Sequence, residues 1–335
     1  MKLYIIGNGF DRHHKMPTGY SDYKVFLSTH YPGAIKAFES FDYLIKESDG
    51  DLWSDIESNL TIDADRLISD YIEKYYPDVS SDSDYTFDEM RVEIENLISF
   101  VYNFTGTYYL EWISSINSNA YIGNKDLTLD PKDQYITFNY TNTLETIYMI
   151  PPKNILHIHG KINTKLMQNI FWGGSYHPAK TMEEAEIMDP IPFPPLNKHT
   201  VHSEIQFGSV RNNPSSIENE LFNKYSNDEY YGASISQAVD EITNYCRASY
   251  KDLEANYTSL KDFLNDKRID EVIIMGHSFC GIDEPYYTDV FVPVLKDLKW
   301  VFYVHDDNSC QEYNCFIDKY SIKNHRCCSW PKCIK

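Results

Sequence analysis

Two histidines, an asparagine, a serine beside an aspartate and a glycine turn are the residues of this chain whose types and spacing could do chemistry. His157-Ile158-His159-Gly160 offers two imidazoles two positions apart, which a strand would set on one face. Such a pair can work as a general base, hold a metal, or sit partly buried with its ring nitrogens hydrogen-bonded. Gly160 after His159 suits a turn or a close approach by a ligand. Phe138-Asn139-Tyr140-Thr141 sets an amide, a phenol and a hydroxyl in one short run. Asn139 there can hold a ribose hydroxyl or orient a water, and it can equally form an Asx-turn or cap a helix. Gly7-Asn8-Gly9-Phe10-Asp11 follows an apolar run. This is how an α/β fold presents backbone N–H groups to a phosphate, although a tight turn opening a helix, capped by Asp11, has the same sequence. Position 12 is Arg, so the full G-x-G-x-x-G fingerprint is absent.

Gly276-His277-Ser278-Phe279-Cys280 admits two readings. It approximates the nucleophile elbow G-x-S-x-G, with Cys280 in place of the second glycine and with Asp306 and His325 as the later acid and base. Alternatively, Gly276 admits a nucleotide at a strand end, Ser278 bonds a phosphate or ribose, and Asp283 lies close by.

These residues need elements to position them. Apolar runs predict strands at Lys2–Ile6, Tyr135–Phe138, Asn154–Ile158, 271–275 and 299–304, with a further candidate at Ile205–Gly208. Each chemistry-bearing motif begins where such a run ends. Helical patterning fills most of 21–119, best at Phe87–Ile116, and returns over 216–264 and near 284–297. A short helix from Thr143 ends at Pro151-Pro152. Asp78–Tyr85 reads as an exposed loop, and 161–200 as an irregular segment of a length that is usually functional or mobile. The alternation predicts a doubly wound α/β sheet. Ligands bind such sheets at the edge where the strand ends gather.

Composition narrows the partners. The 30 basic and 50 acidic residues give a formal charge of −20, which argues against extended contact with nucleic acid. No apolar run reaches membrane-span length and the amino terminus leads straight into a strand, so a cytoplasmic protein with no membrane partner is expected. The seven cysteines are then expected to be reduced. Cys310, Cys315, Cys327, Cys328 and Cys333, with His305 and His325, lack the paired spacing of a zinc site, and no metal is expected. GNGFD, HxHG and GHS share features with metallophosphoesterases, but Gly9 stands where that class has a metal-binding His.

Taken in order, the motifs are more specific than any one of them. The set is Leu3–Asp11, Met16-Pro17-Thr18-Gly19-Tyr20, Phe138–Glu145, His157–Gly160, and Gly276-His277-Ser278 with Ile282-Asp283. It resembles the bacteriophage abortive-infection AbiH family over almost the whole chain. That family in turn resembles sirtuin-like NAD-binding domains, whose members in bacterial defence often cleave NAD at the nicotinamide–ribose bond. The resemblance implies a Rossmann-like (sirtuin-like) α/β domain over 1–320, which the helical patterning interrupts with a large insertion at 21–125 after the first strand, and a Cys-rich tail follows at 321–335. It implies NAD, or a related nucleotide, as substrate. Asn139 and His159 would be catalytic, Asn139 positioning the nicotinamide ribose or the attacking water and His159 as general base or hydrogen-bond partner of a ribose hydroxyl. Gly7, Asn8, Gly9, Phe10, Asp11, Pro17, Thr141, Gly276, His277, Ser278 and Asp283 would bind the nucleotide. Asn8 and Asp11 stand where small residues are usual, and the sirtuin zinc cysteines are missing, which disfavours acyl-lysine chemistry. A phage-encoded trigger and a homo-oligomer remain open expectations. The alternatives are a nucleotide sensor without chemistry and a metal-dependent phosphoesterase or nuclease built on His157 and His159.

Overall fold

The computed structural model describes residues 1–39, 42–45, 53, 56–75, 94, 103–116, 120–121, 125, 127–161, 206–226, 235–265, 267–279, 281–305 and 307–330. The expected loop at Asp78–Tyr85, nearly all of the irregular 161–200 segment, and most of the first part of the Phe87–Ile116 helix lie outside these residues. Two compact units share the chain. One comprises Met1–Asp22, Ile113–Gln168 and Asp252–Lys335, and the other Tyr23–Trp112 and Asn169–Lys251.

The first unit holds a six-stranded, all-parallel sheet with helices, an α/β architecture. Its strands are β1 (Lys2–Ile6), β2 (Gln134–Thr137), β3 (Ile155–His157), β4 (Glu271–Met275), β5 (Lys299–Val304) and β6 (His325–Ser329), in the order β3-β2-β1-β4-β5-β6. Side chains alternate across each strand. Leu3, Ile5, Ile136, Val272, Ile274, Trp300 and Phe302 therefore join one buried cluster, while Tyr4, Ile6, Tyr135, Ile273, Met275 and Val301 join the other. The first cluster also contains residues of helices Leu253–Leu264 and Asp307–Tyr320. The second contains Phe10 and residues of helix Thr143–Ile147. Burial on both faces explains why these strands read as continuous apolar runs.

β6 was not expected. His325-Arg326-Cys327-Cys328-Ser329 carries no apolar alternation, because an edge strand open to solvent on most of its length needs none. The stretch expected as a Cys-rich tail thus pairs with β5 from Trp300–His325 to Val304–Ser329. Directly after it, Trp330 is buried, with its ring stacked against His13 at 4.3 Å and against His305 at 4.5 Å. Among the described residues of the Ile205–Gly208 candidate there is no strand.

The second unit is not a single insertion, since it takes 23–112 and also 169–251. Its described elements are helical and include Pro32–Glu39, Ala64–Tyr75, Pro214–Tyr225 and Ser236–Ala248. Tyr23, Phe38, Trp53 and Phe104 form an aromatic core in which the Tyr23 hydroxyl donates to the Phe104 carbonyl at 2.6 Å. Lys251 and Glu57 are buried as an ion pair at 2.5 Å, as burial of either charge requires.

In the sheet, strand order reverses between β1 and β4, where the turns that follow the two strands are pressed together. Gly7 N–H donates to the Met275 carbonyl at 3.1 Å, and Gly9 N–H to the Gly276 carbonyl at 2.8 Å. A Cβ on Gly7 would lie 2.6 Å from His277 Cα, and one on Gly9 2.7 Å from Gly276 Cα. Gly276 has φ +63°, and a Cβ there would meet the Phe10 backbone nitrogen at 2.4 Å. Gly276→Ala is therefore expected to lower stability by about 2–4 kcal/mol, combining the left-handed backbone penalty with overpacking against main chain. Denaturant titration measures this, and an unchanged midpoint would show that the two turns can separate.

Candidate functional site

The pairing register sets four motifs level. Ile6 stands beside Thr137 and Met275, and Thr137 beside His157. The segments beginning at Gly7, Phe138, Ile158 and Gly276 therefore leave one edge of the sheet together.

The glycine turn is largely self-satisfied. Besides the two bonds to the β4 side, Phe10 N–H donates to the Gly7 carbonyl at 2.9 Å. Gly7 takes the N-cap position of the short helix Asn8–His13 without a side-chain cap. Asp11 lies inside this helix and does not cap it. Phe10 is fully buried against His14, Tyr148 and Trp330. Asn8 donates through Nδ2 to the Thr18 carbonyl at 2.8 Å, which ties the exposed Pro17 loop to the turn.

Asp11 joins the β1 and β2 ends. Its carboxylate is buried and accepts from the Thr141 and Thr143 hydroxyls, each at 2.6 Å. Burial pushes its pKa from 3.8 up to about 6, although the two threonine hydroxyls, the His157 charge and a hydrogen bond from Asn139 all pull the other way. Asn139 also donates through Nδ2 to the Gly7 carbonyl at 3.1 Å. Thr141 and Asn139 therefore both brace the β1 turn.

The two imidazoles of the His157–Gly160 motif part company. β3 ends at His157, whose Nε2 is 3.0 Å from Glu145 Oε1 and whose Nδ1 is 3.2 Å from the Asn139 carbonyl. Lys161 bonds the same Glu145 oxygen at 2.9 Å. Burial raises the Glu145 pKa, but His157 and Lys161 outweigh it and hold the carboxyl at about 2.

His159 lies in the turn beyond the strand, 2 % exposed, with Nε2 3.3 Å from the Tyr286 hydroxyl and 3.6 Å from Asp283 Oδ1. His277 Nε2 is 3.6 Å from the other Asp283 oxygen, and its Nδ1 is 3.0 Å from the Tyr287 hydroxyl. Phe138 packs against both rings. Asn256, from helix Leu253–Leu264, donates to Tyr286 Oη at 2.7 Å. Tyr286 ends the helical turn Glu284–Tyr286, and Tyr287 opens the π-turn Tyr287–Phe291 that runs into Val292–Leu295. A carboxylate facing two imidazoles is an acid–base constellation, and it stands on the loops that follow β3 and β4.

Ser278 is exposed, and its hydroxyl donates to Glu312 Oε1 at 2.7 Å, as does Phe279 N–H. His325 begins β6 beside Trp300, near the start of β5, so it stands at the opposite end of the sheet. The elbow-and-triad reading fails on that ground, while Cys280 and Asp306 lie outside the described residues. Among the described residues, no group of three or more His, Cys, Asp or Glu side chains is placed to hold a metal ion, and His157 and His159 face different partners. Among them too, no helix is long and apolar enough to cross a membrane.

The sequence model of the family described as bacteriophage abortive infection AbiH matches residues 3–304, which takes in all or nearly all of β1 to β5 and every site residue except Glu312. The chain belongs to the AbiH family. Membership implies a role in abortive infection by bacteriophage. No curated protein and no solved structure matches the chain.

Sequence reading missed Thr143, Glu145, Asn256, Tyr286, Tyr287 and Glu312. Thr143 and Glu145 stand within the Phe138–Glu145 motif, and Tyr286 and Tyr287 lie one helical turn beyond Asp283, a spacing that could have marked them. Asn256 and Glu312 carry no such signal.

The Asp11 shift has a sign. The folded state takes the proton more readily than the unfolded chain, so this group's contribution is full below about pH 4 and is lost as pH rises through about 6. Asp11→Asn is expected to remove that decline, on the order of 2–3 kcal/mol between pH 4 and 7. Denaturant midpoints of both proteins across this range test it, and parallel curves would show that Asp11 has no such shift.

Proposed function

We propose that this AbiH-family protein is an abortive-infection effector that binds NAD, or a closely related dinucleotide, at the edge formed by the β1 and β4 turns and hydrolyses its nicotinamide–ribose bond. The observation that carries the reading is His159, buried and backed by Asp283, on the same edge as the β1–β4 reversal. The strand order 3-2-1-4-5-6 is that of doubly wound dinucleotide-binding sheets, in which the ligand lies at the reversal. The resemblance to sirtuin-like domains supports the same ligand.

In the reaction, the bond from ribose C1′ to the nicotinamide nitrogen breaks. Its electron pair goes to that nitrogen, which becomes neutral. Water bonds to C1′ and gives one proton to His159, leaving ADP-ribose. Positive charge develops on the ribose as the bond stretches, so holding the sugar and excluding bulk water lower the barrier. Asn139 would position the ribose or the attacking water from the end of β2. Gly7, Asn8, Gly9, Gly276 and Ser278 would line the nucleotide, with Pro17 on the loop that Asn8 holds. No step requires a metal.

A second reading, a nucleotide sensor without chemistry, is favoured by one observation. The Asn139 side-chain amide, which would position the ribose or the attacking water, is bonded to the Gly7 carbonyl at 3.1 Å.

Incubation of the purified protein with NAD, with and without EDTA, separates the two. Chromatography should show nicotinamide and ADP-ribose in both samples. His159→Ala is expected to lower the rate by about 10²–10⁴-fold, the usual contribution of a general base. Asn139→Ala should do the same in a protein that remains folded by circular dichroism. Unchanged NAD loss in the folded variants would refute these roles, and NAD binding without product would establish the sensor.

A further inference from the structure

The late cysteines take no part in the site described above. Among the described residues, Cys310, Cys315, Cys327 and Cys328 are free thiols. Cys310 and Cys315 belong to helix Asp307–Tyr320, and Cys327 and Cys328 to β6. The pleat of β6 sends its two thiols to opposite faces of the sheet. Cys328 packs against the cluster that holds Tyr4, Ile6 and Met275. Cys327 therefore faces the other side, the side covered by helix Asp307–Tyr320. The register agrees, since Cys327 stands beside Phe302. The Phe302 ring lies 5.2 Å from that of Tyr313 and 6.1 Å from that of Phe316, both on this helix. Cys310 sits one helical turn before Tyr313 and so on the same side of the helix. Asn314 Nδ2 donates to its Sγ at 3.8 Å. Here the helix thiol meets the strand thiol. Burial, and then the Cys310 sulfur as a neighbouring charge and hydrogen-bond partner, push the Cys327 pKa up. Cys327 is exposed and Cys310 half-buried, so a small oxidant can reach both.

We propose that Cys310 and Cys327 are a redox pair, whose reversible disulfide staples helix Asp307–Tyr320 to the edge strand β6. The oxidant is a hydroperoxide, hydrogen peroxide in the simplest case. One thiolate attacks a peroxide oxygen, the O–O bond breaks, and a sulfenic acid and water form. The second sulfur attacks the sulfenic sulfur, the S–O bond breaks, and the departing hydroxide takes the remaining thiol proton as a second water. The two thiols lose two electrons in all, and one peroxide becomes two waters. A dithiol restores the pair by exchange. The staple also reaches the candidate site. Glu312, on the same first turns of the helix, holds the Ser278 hydroxyl and Phe279 N–H just beyond β4. Fixing these turns fixes that hold. The inference requires neither NAD nor its hydrolysis.

The test is peptide mapping of the reduced full chain after treatment with hydrogen peroxide, with no reductant in the digest. A cross-linked peptide joining Cys310 to Cys327, two hydrogens lighter than its separate halves, is expected. It should come from single chains on a non-reducing denaturing gel, and dithiothreitol should remove it. Cys315→Ser and Cys328→Ser should leave the bridge in place, whereas Cys310→Ser and Cys327→Ser should abolish it. In the oxidised wild type, amides of β6 and of the first helical turns should exchange about 10–100-fold more slowly than in the reduced protein, as closing a loop between them predicts. The Phe279 amide, which Glu312 holds, should slow with them. A bridge from either cysteine to a different one overturns the pairing. So does a bridge found only between two copies, or sulfinic and sulfonic acids without any bridge, and none of these results needs a variant to fold. A bridge that leaves exchange at Phe279 unchanged overturns the link to the β4 turn.

Discussion

The contact on which the structure of the sheet edge depends is the main-chain approach of the β1 turn to the β4 turn. Gly7, Gly9 and Gly276 bring the two chains close enough to exchange hydrogen bonds, at distances that leave no room for a side-chain carbon. The glycines serve this packing directly, whatever else the turn binds. In a doubly wound sheet the ligand crevice lies outside the strand ends at the reversal in strand order. Here the two turns touch through main chain at that point, and the residues with chemistry are arranged around that contact.

The cost of closing is polar. Bringing four strand ends together buries Asp11, Asn139, Thr141, Thr143, His159 and His277, and each such group must find partners as it leaves water. Asp11 is met by two hydroxyls and still has its pKa pushed up to about 6, so the solution is imperfect. Glu145 is met by His157 and Lys161 and is pulled down to about 2. Two carboxyls of similar intrinsic acidity are thus driven in opposite directions within one short stretch of sheet edge. Burial and partners both differ, since Asp11 is fully buried among hydroxyl donors, whereas Glu145 keeps some exposure and meets an ammonium and an imidazole. Environments that separate titratable groups in this way are where acid–base chemistry is found.

Much of the fold was legible. Lys2–Ile6, 271–275 and 299–304 are strands at the residues expected, and β2 and β3 fall within one residue of theirs at either end, because strands buried on both faces carry unbroken apolar runs. β6 was illegible for the converse reason, since an exposed edge strand leaves no such trace. At the site, Asn139, His159, Gly276, His277 and Asp283 were visible as chemical types at the ends of apolar runs. Their partners were not. Asn256 reaches Tyr286 across 30 positions of sequence, and Glu312 reaches Ser278 across 34, spacings that no local pattern encodes.

What the sequence determined by itself was five of the six strands, the residues at their ends and the family to which their order belongs. These follow from local pattern, in which apolar runs bury, glycine permits a turn and the motifs keep their order. What only the tertiary structure decided was which functional groups meet. His157 and His159, neighbours in sequence, separate because the strand ends between them. His159 and His277, more than a hundred positions apart, share one carboxylate because a parallel sheet aligns the ends of non-consecutive strands. Proximity in this site is a property of register and strand order, and those are settled by the packing of the whole sheet rather than by any segment of it.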